Sequence, residues 1–166
     1  MQKFVSQKKT GDRLKVVFML PHWNYNVSKE KTLNLYEDVV PTLGKLINMN
    51  LKLGIVSDAP SREAWIRLYT LNLHDKFDHV VTFNDTGFYK PAKEPFIKIA
   101  EMLKLKLNEC MMVGDWPDRD IKGAKQVGMK TAFAKYGSIE NISNSGADHD
   151  LNSLSELIDI IKIYNI

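Results

Sequence analysis

Three carboxylates lie close together in the segment Gly114-Asp-Trp-Pro-Asp-Arg-Asp120, directly after an apolar run. Mg²⁺ takes oxygen ligands, usually from one or two carboxylates together with substrate phosphate and water. Asp115 and Asp120 are therefore candidate ligands of a divalent cation. The simpler interpretation is a polar loop whose aspartates cap the next helix, and Asp118 in particular fits that interpretation.

Two further residues have chemistry that suits a phosphate group. Ser57 follows the apolar run 51–56 and precedes Asp58. A hydroxyl there, with backbone N–H groups beside it, can bind a phosphate oxygen, or it can simply cap a helix. Lys90, before Pro91, could neutralise a phosphoryl group, or it could be a solvated loop lysine. Each residue taken alone leaves both interpretations open.

The elements that must position these residues alternate between strands and helices. Strands are predicted at 51–56, 79–83, 109–113 and 130–134, with a very short one at 148–151; helices are predicted at 41–49, after 61, at 95–105, at 120–127 and from 154 onward. This alternation predicts an α/β fold, a three-layer sandwich with a Rossmann-like parallel sheet. In such sheets ligands bind outside the carboxyl ends of the strands, where Ser57 and Asp115 lie.

Composition indicates one ordinary domain of 166 residues. Basic residues exceed acidic ones by five in residues 1–31, whereas acidic residues exceed basic ones by two in the rest of the chain. Because the basic surplus belongs to one terminal segment, the whole-chain pI of 8.8 does not indicate nucleic-acid binding. The single cysteine, Cys110, excludes an intrachain disulfide and is expected to be buried and inert. No apolar run approaches the ~18–20 residues that span a bilayer. We expect a cytoplasmic protein with neither nucleic-acid nor membrane partners.

Three segments occur in an informative order: Ile55-Val-Ser-Asp58, Thr86-Gly-Phe-Tyr-Lys-Pro91 and Met112-Val-Gly-Asp-Trp-Pro-Asp-Arg-Asp-Ile-Lys-Gly-Ala124. They resemble the second, third and fourth motifs of the haloacid dehalogenase (HAD) superfamily of hydrolases, and most closely its capped archaeal-type members. The resemblance covers residues 35–163. It implies Mg²⁺-dependent hydrolysis of a phosphate monoester, with a small phosphorylated metabolite as substrate.

The resemblance also assigns roles to the candidate residues. Ser57 and Lys90 would be catalytic, with Ser57 binding the transferring phosphoryl oxygen and Lys90 stabilising the nucleophile and the phosphoryl charge. Ser57 and its neighbour Asp58 would contact the substrate. Asp115 would ligate Mg²⁺ directly, and Asp120 would support that metal site.

The family's first motif, an Asp-x-Asp-x-Thr segment that ends the central strand and supplies the nucleophile, is missing. Upstream of Ser57 the only aspartates are Asp12 and Asp38, and neither ends an apolar strand or has a second aspartate two residues on. We therefore expect no phosphatase activity from this chain alone, because no carboxylate is available to attack phosphorus.

Two alternatives explain the absence. In the first, the run 16–20 belongs to a degenerate central strand, Met19 and Pro21 occupy the two aspartate positions, and the protein is a non-catalytic pseudoenzyme or partner-binding domain. In the second, residues 1–34 are a partial, helical cap remnant, and the motif-bearing strand lies outside this chain. In both, residues 35–166 form the HAD-like core.

Two features favour the second alternative. Ser57, Lys90, Asp115 and Asp120 are all intact, and residues 25–39 resemble the point where a cap returns to the core. This alternative predicts a gap in the sheet with unpaired strand edges, which a second polypeptide or a second copy of the chain would have to cover. The position of the run 16–20 in the sheet decides whether that gap exists.

Overall fold

The computed structural model describes residues 14–18 and 35–165 of the chain. The strands in these ranges are β1 (Lys15–Phe18), β2 (Gly54–Val56), β3 (His79–Val81), β4 (Cys110–Gly114), β5 (Lys130–Ala134) and β6 (His149–Leu151). The α-helices are α1 (Val39–Asn48), α2 (Ser61–Thr70), α3 (Phe83–Thr86), α4 (Lys93–Leu103), α5 (Lys122–Gln126) and α6 (Leu157–Asn165). A π-helical turn, Pro117–Ile121, leads into α5. No helix in the described ranges is long and apolar enough to cross a membrane.

All strand pairs in the sheet are parallel, and the strand order is β3-β2-β1-β4-β5-β6. The first three strands extend the sheet in one direction, and the chain then crosses β1 to place β4 on its other side. The order therefore reverses at β1, and a doubly wound sheet of this kind binds ligands at the carboxyl ends of the strands beside that reversal. The predicted Rossmann-like parallel sheet is confirmed.

β1 occupies the centre of this sheet. Phe18 pairs with Ile55 of β2 on one side and with Val113 of β4 on the other. The described part of the sheet therefore has no gap between β2 and β4, in contrast to the gapped sheet expected from a missing central strand. No covering polypeptide is needed to complete it there. Met19, Pro21 and most of the predicted cap remnant lie outside the described residues, so the division of the chain at residue 34 stays a prediction.

Helices cover both faces of the sheet, which makes the fold the predicted three-layer sandwich. Side chains of β4 alternate between the two faces: Met111 and Val113 belong to one apolar cluster, and Cys110 and Met112 belong to the other. The first cluster takes its helical members from α1, α2 and α6, and the second takes them from α4 and α5. Both faces of β4 are therefore fully buried.

The contact of α4 with β2 is unusually close, and it depends on a glycine. A Cβ at Gly54 would lie 2.9 Å from two side-chain atoms of Ile99 on α4. The absence of a side chain at Gly54 lets the helix pack directly on the strand. The loop that enters α4, which carries Lys90, is thereby held against the end of β2.

The strand predicted at 79–83 is shorter than expected. It ends at Val81 instead of Phe83, because Thr82 and Asp85 form a capping box that starts α3. The Thr82 N–H donates to Asp85 Oδ2 over 2.7 Å. A polar side chain three residues along the chain thus overrides the strand preference of Phe83.

The burial of Cys110 leads to a prediction about its reactivity. Its side chain is fully buried in β4, and its Sγ lies 3.3 Å from the carbonyl oxygen of Lys106. Burial, together with the nearby Glu109 carboxylate, raises the pKa of the Cys110 thiol to about 12. Since the thiolate is the reactive form, we expect almost no reaction of the folded protein with a thiol reagent such as DTNB at pH 8, and full reaction in denaturant. Native labelling at the rate of a free thiol would contradict this burial.

Candidate functional site

The candidate residues gather at the carboxyl ends of β2 and β4, on either side of β1. Ser57 and Asp115 lie two residues beyond Ile55 and Val113, the two partners of Phe18. Both therefore flank the point where the central strand ends. This crevice is the switch point of the sheet, as the sequence predicted from the rule for parallel sheets.

Lys90 is fixed in this crevice although it comes from a distant loop. Lys90 is only 4 % exposed. Its Nζ lies 3.0 Å from Asp120 Oδ1 and donates to the Val56 carbonyl oxygen over 3.2 Å. Its backbone N–H donates to Asp58 Oδ1 over 2.9 Å. Lys90 is therefore a positioned cation at the end of β2, which excludes the interpretation as a solvated loop lysine.

Asp120 is the buried counter-charge of Lys90. It is fully buried, and its second oxygen, Oδ2, accepts the Trp116 N–H over 3.0 Å. Burial raises the pKa of the Asp120 carboxyl, and the ammonium of Lys90 opposes that rise. A Cβ at Gly114 would overlap the Asp120 carboxyl group, so the glycine that ends β4 makes room for this side chain. Both carboxylate oxygens of Asp120 are engaged within the protein.

Ser57 lies in a tight turn between β2 and α2. Its N–H donates to the Val81 carbonyl oxygen over 2.8 Å, and its Oγ accepts the Ala59 N–H over 3.1 Å. Ser57 does not cap α2. The Ser61 N–H, at the start of that helix, donates instead to Asn84 Oδ1 over 2.8 Å. The hydroxyl of Ser57 is thus held at the crevice by the turn, in a position compatible with its predicted role toward a phosphate oxygen.

Asp58 links the loop of Lys90 to the segment after β4. Its Oδ1 accepts the Lys90 N–H, and its Oδ2 pairs with Nη1 of Arg119 over 3.1 Å. The Arg119 guanidinium also lies over the Trp116 ring, 4.3 Å from its centroid. Both oxygens of Asp58 are used inside the protein, so its predicted contact with substrate stays a prediction.

Arg119 is a member of the site that the sequence reasoning missed. It is the one basic residue in the acidic segment 114–120. That isolated positive charge was a usable signal for an internal ion pair, but the partner, Asp58, lies 61 positions away.

Asp118 is exposed, which agrees with its interpretation from the sequence as a helix cap or a solvated residue.

The described residues do not form a magnesium site by themselves. No group of three or more His, Cys, Asp or Glu side chains within residues 14–18 and 35–165 is arranged to hold a metal ion. Asp115, which is 6 % exposed and directly follows β4, is the carboxylate placed to contribute. Asp120 has its oxygens on Lys90 and on the Trp116 backbone, and its support of a metal site stays a prediction. Mg²⁺ would need further oxygen ligands.

The residue that directly follows β1 in the chain is neither a Mg²⁺ ligand nor a nucleophile toward phosphorus. β1 ends at Phe18, and the next residue in the chain is Met19. A thioether is a ligand for soft metals and not for Mg²⁺. It also lacks the anionic oxygen with which a carboxylate attacks phosphorus. The described site therefore has a cation, a hydroxyl and a buried carboxylate, while the position directly after β1 supplies no nucleophilic carboxylate.

Comparison with known proteins agrees with this geometry. A family model of haloacid dehalogenase-like hydrolases matches residues 1–134. A glyceraldehyde 3-phosphate phosphatase of Methanocaldococcus jannaschii is 37 % identical over 139 residues, which are 83 % of this chain and 61 % of that protein. The pyrophosphatase PpaX of Halalkalibacterium halodurans is 32 % identical over 81 % of this chain and 63 % of its own length.

A solved structure gives the same result. The crystal structure of a HAD phosphatase from Thermococcus onnurineus superimposes with a TM-score of 0.72 at 34 % identity, over 77 % of this chain and 58 % of that one. The chain thus spans about three-fifths of the length of the curated relatives it matches. The resemblance inferred from three ordered motifs is confirmed, and this chain belongs to the haloacid dehalogenase-like hydrolase family.

Proposed function

We propose that the crevice is the phosphoryl site of a phosphatase-type domain that lacks its nucleophile, and that this chain alone does not hydrolyse phosphate monoesters. The observation that carries the proposal is the position of β1. β1 lies between β2 and β4, where the family resemblance puts the strand that ends in the nucleophile motif, and the next residue in the chain is Met19. The relatives named as phosphatases of small phosphorylated compounds support a ligand of that class.

The positions of Ser57 and Lys90 support phosphoryl recognition. Lys90 brings a buried ammonium to the end of β2, where a phosphoryl group would lie beside Ser57. An ammonium fixed in a water-poor site stabilises negative charge on phosphoryl oxygens without reorganising during the reaction. This stabilisation does not replace bond formation to phosphorus, which in the family needs a carboxylate at the end of the central strand.

The charge balance explains why binding alone is expected to be weak. The described crevice holds three carboxylates, on Asp58, Asp115 and Asp120, and two cations, on Lys90 and Arg119. It has no surplus of positive charge for a phosphate dianion. The family resemblance assigns the extra charge to Mg²⁺, with Asp115 as one ligand, and the positions that would complete the ligand set hold Met19 and Pro21. Mg²⁺ dependence is therefore expected only where those carboxylates are restored.

The wild-type chain is expected to show no turnover of an aryl phosphate such as p-nitrophenyl phosphate in the presence of Mg²⁺. The physical reason is that neither a nucleophilic carboxylate nor a full set of metal ligands is available. Release of p-nitrophenol is measured against the Asp115→Asn variant, which reports any contaminating phosphatase. Wild-type turnover that disappears in that variant would show that the chain is catalytic.

A variant tests whether the missing nucleophile motif belongs directly after β1. The triple substitution Met19→Asp, Pro21→Asp and Trp23→Thr writes the family's Asp-x-Asp-x-Thr pattern after the strand. We expect Mg²⁺-dependent hydrolysis at least about a hundredfold above wild type, because loss of the nucleophile from enzymes with covalent catalysis costs up to about 10⁶ in kcat. Adding Asp115→Asn to the triple variant should remove the gain. A folded triple variant without activity would mean that β1 is not the degenerate motif-bearing strand.

A further inference from the structure

A second cavity opens beside the crevice, between the segments that follow β4 and β5. These strands pair in register, with Gly114 opposite Phe133, so the two segments emerge side by side at the same edge of the sheet. The cavity has a volume of about 130 Å³, and Asp115 is one of its lining residues. The cavity therefore shares Asp115 with the crevice.

The walls of this cavity are mainly apolar. Trp116 and Pro117 come from the β4 side, and Ile139 and Ile142 come from the β5 side. Its polar lining residues are Asp115, Ser138 and Glu140, and the Ser138 hydroxyl donates to the Glu140 carbonyl oxygen over 3.1 Å and is engaged within the loop. A ligand with several hydroxyl groups would lose hydration against the four apolar side chains, where its hydroxyl groups have no partner.

The wall formed by Trp116 is supported on one face of its ring by Arg119. The Arg119 guanidinium lies 4.3 Å from the centre of the Trp116 ring, and Arg119 is itself paired with the nearly buried Asp58 over 3.1 Å. The backbone N–H of Trp116 also donates to Asp120 Oδ2. A ring held from its backbone and from one face forms a preorganised apolar surface, which reduces the entropy cost of binding.

We infer that this cavity takes the organic part of a phosphate ester, and that it selects a small apolar group such as a phenyl ring or a branched alkyl chain over a polyol. Its size fits such a group, because an apolar cavity of about 150 Å³ in another protein is sufficient to bind benzene. The inference rests on the proposed function in one respect, namely that the phosphoryl group of the same ligand lies in the adjoining crevice.

The test compares three probes by ligand-observed NMR on the wild-type chain with Mg²⁺ present: methylphosphonate, 4-fluorophenylphosphonate and 4-fluorobenzyl alcohol. The aryl phosphonate is expected to bind about tenfold more tightly than methylphosphonate, since burying much of a ring is worth about 1.4 kcal/mol or more. Ile139→Asp should remove most of that preference by placing a charge in the cavity wall. Ile163→Asp on α6 is the matched control, because Ile163 is 68 % exposed and Ile139 is 72 % exposed.

The probes separate the two ideas. Equal affinities for the two phosphonates, or a preference that survives Ile139→Asp, would overturn the inference about the cavity. If neither phosphonate binds but the aryl alcohol does, and Ile139→Asp alone abolishes its binding, the apolar cavity is supported and the proposed phosphoryl site is refuted. Loss of aryl binding in both isoleucine variants would also overturn the inference, because the effect would then not belong to the cavity.

Discussion

The crevice depends on the ion pair between Lys90 and Asp120. The two side chains are 2 % and 0 % exposed, and their charged atoms are 3.0 Å apart. The pair joins the loop before α4 to the π-helical turn after β4, and the additional bond from Lys90 to the Val56 carbonyl oxygen ties both to β2. A buried charge without its partner is strongly destabilising, so each residue requires the other. Gly114, which leaves room for Asp120, and Asp58, which holds the Lys90 backbone, serve the same arrangement.

This arrangement explains how the crevice can keep its form with no carboxylate directly after β1. Polar groups of β2, of Asp58 and of the segment after β4 bind Lys90. None of them requires a carboxylate after β1, although β1 supplies the central strand on which β2 and β4 align. Lys90 and Asp120 therefore have a structural reason to persist, independent of hydrolysis. This weakens the inference from intact residues to a missing strand elsewhere.

The sequence was sufficient to predict the layers and the parallel sheet, because the alternating apolar patterns of strands and helices are local. It was also sufficient to predict that polar side chains cluster at the strand ends, because parallel strands end at the same edge of a sheet. It was not sufficient for the contacts that distinguish a ligand from a structural partner. The ion pair of Asp120 with Lys90, which comes from 30 positions earlier in the chain, is one such contact. The ion pair of Asp58 with Arg119 joins residues that are far apart in the chain. The end of β3 at Val81 depends on the capping box of Thr82 and Asp85. Hydrophobic periodicity predicts neither contact.

The central claim, that Lys90 is held by Asp120, is tested most directly by a double-mutant cycle on the free energy of unfolding in urea. Lys90→Met and Asp120→Asn are each expected to lose about 3–5 kcal/mol, the cost of breaking a buried pair from one side. The double variant should lose clearly less than the sum, with a coupling energy of about 1–3 kcal/mol. Losses that add within about 0.5 kcal/mol would contradict the claim, because the two side chains would then act independently.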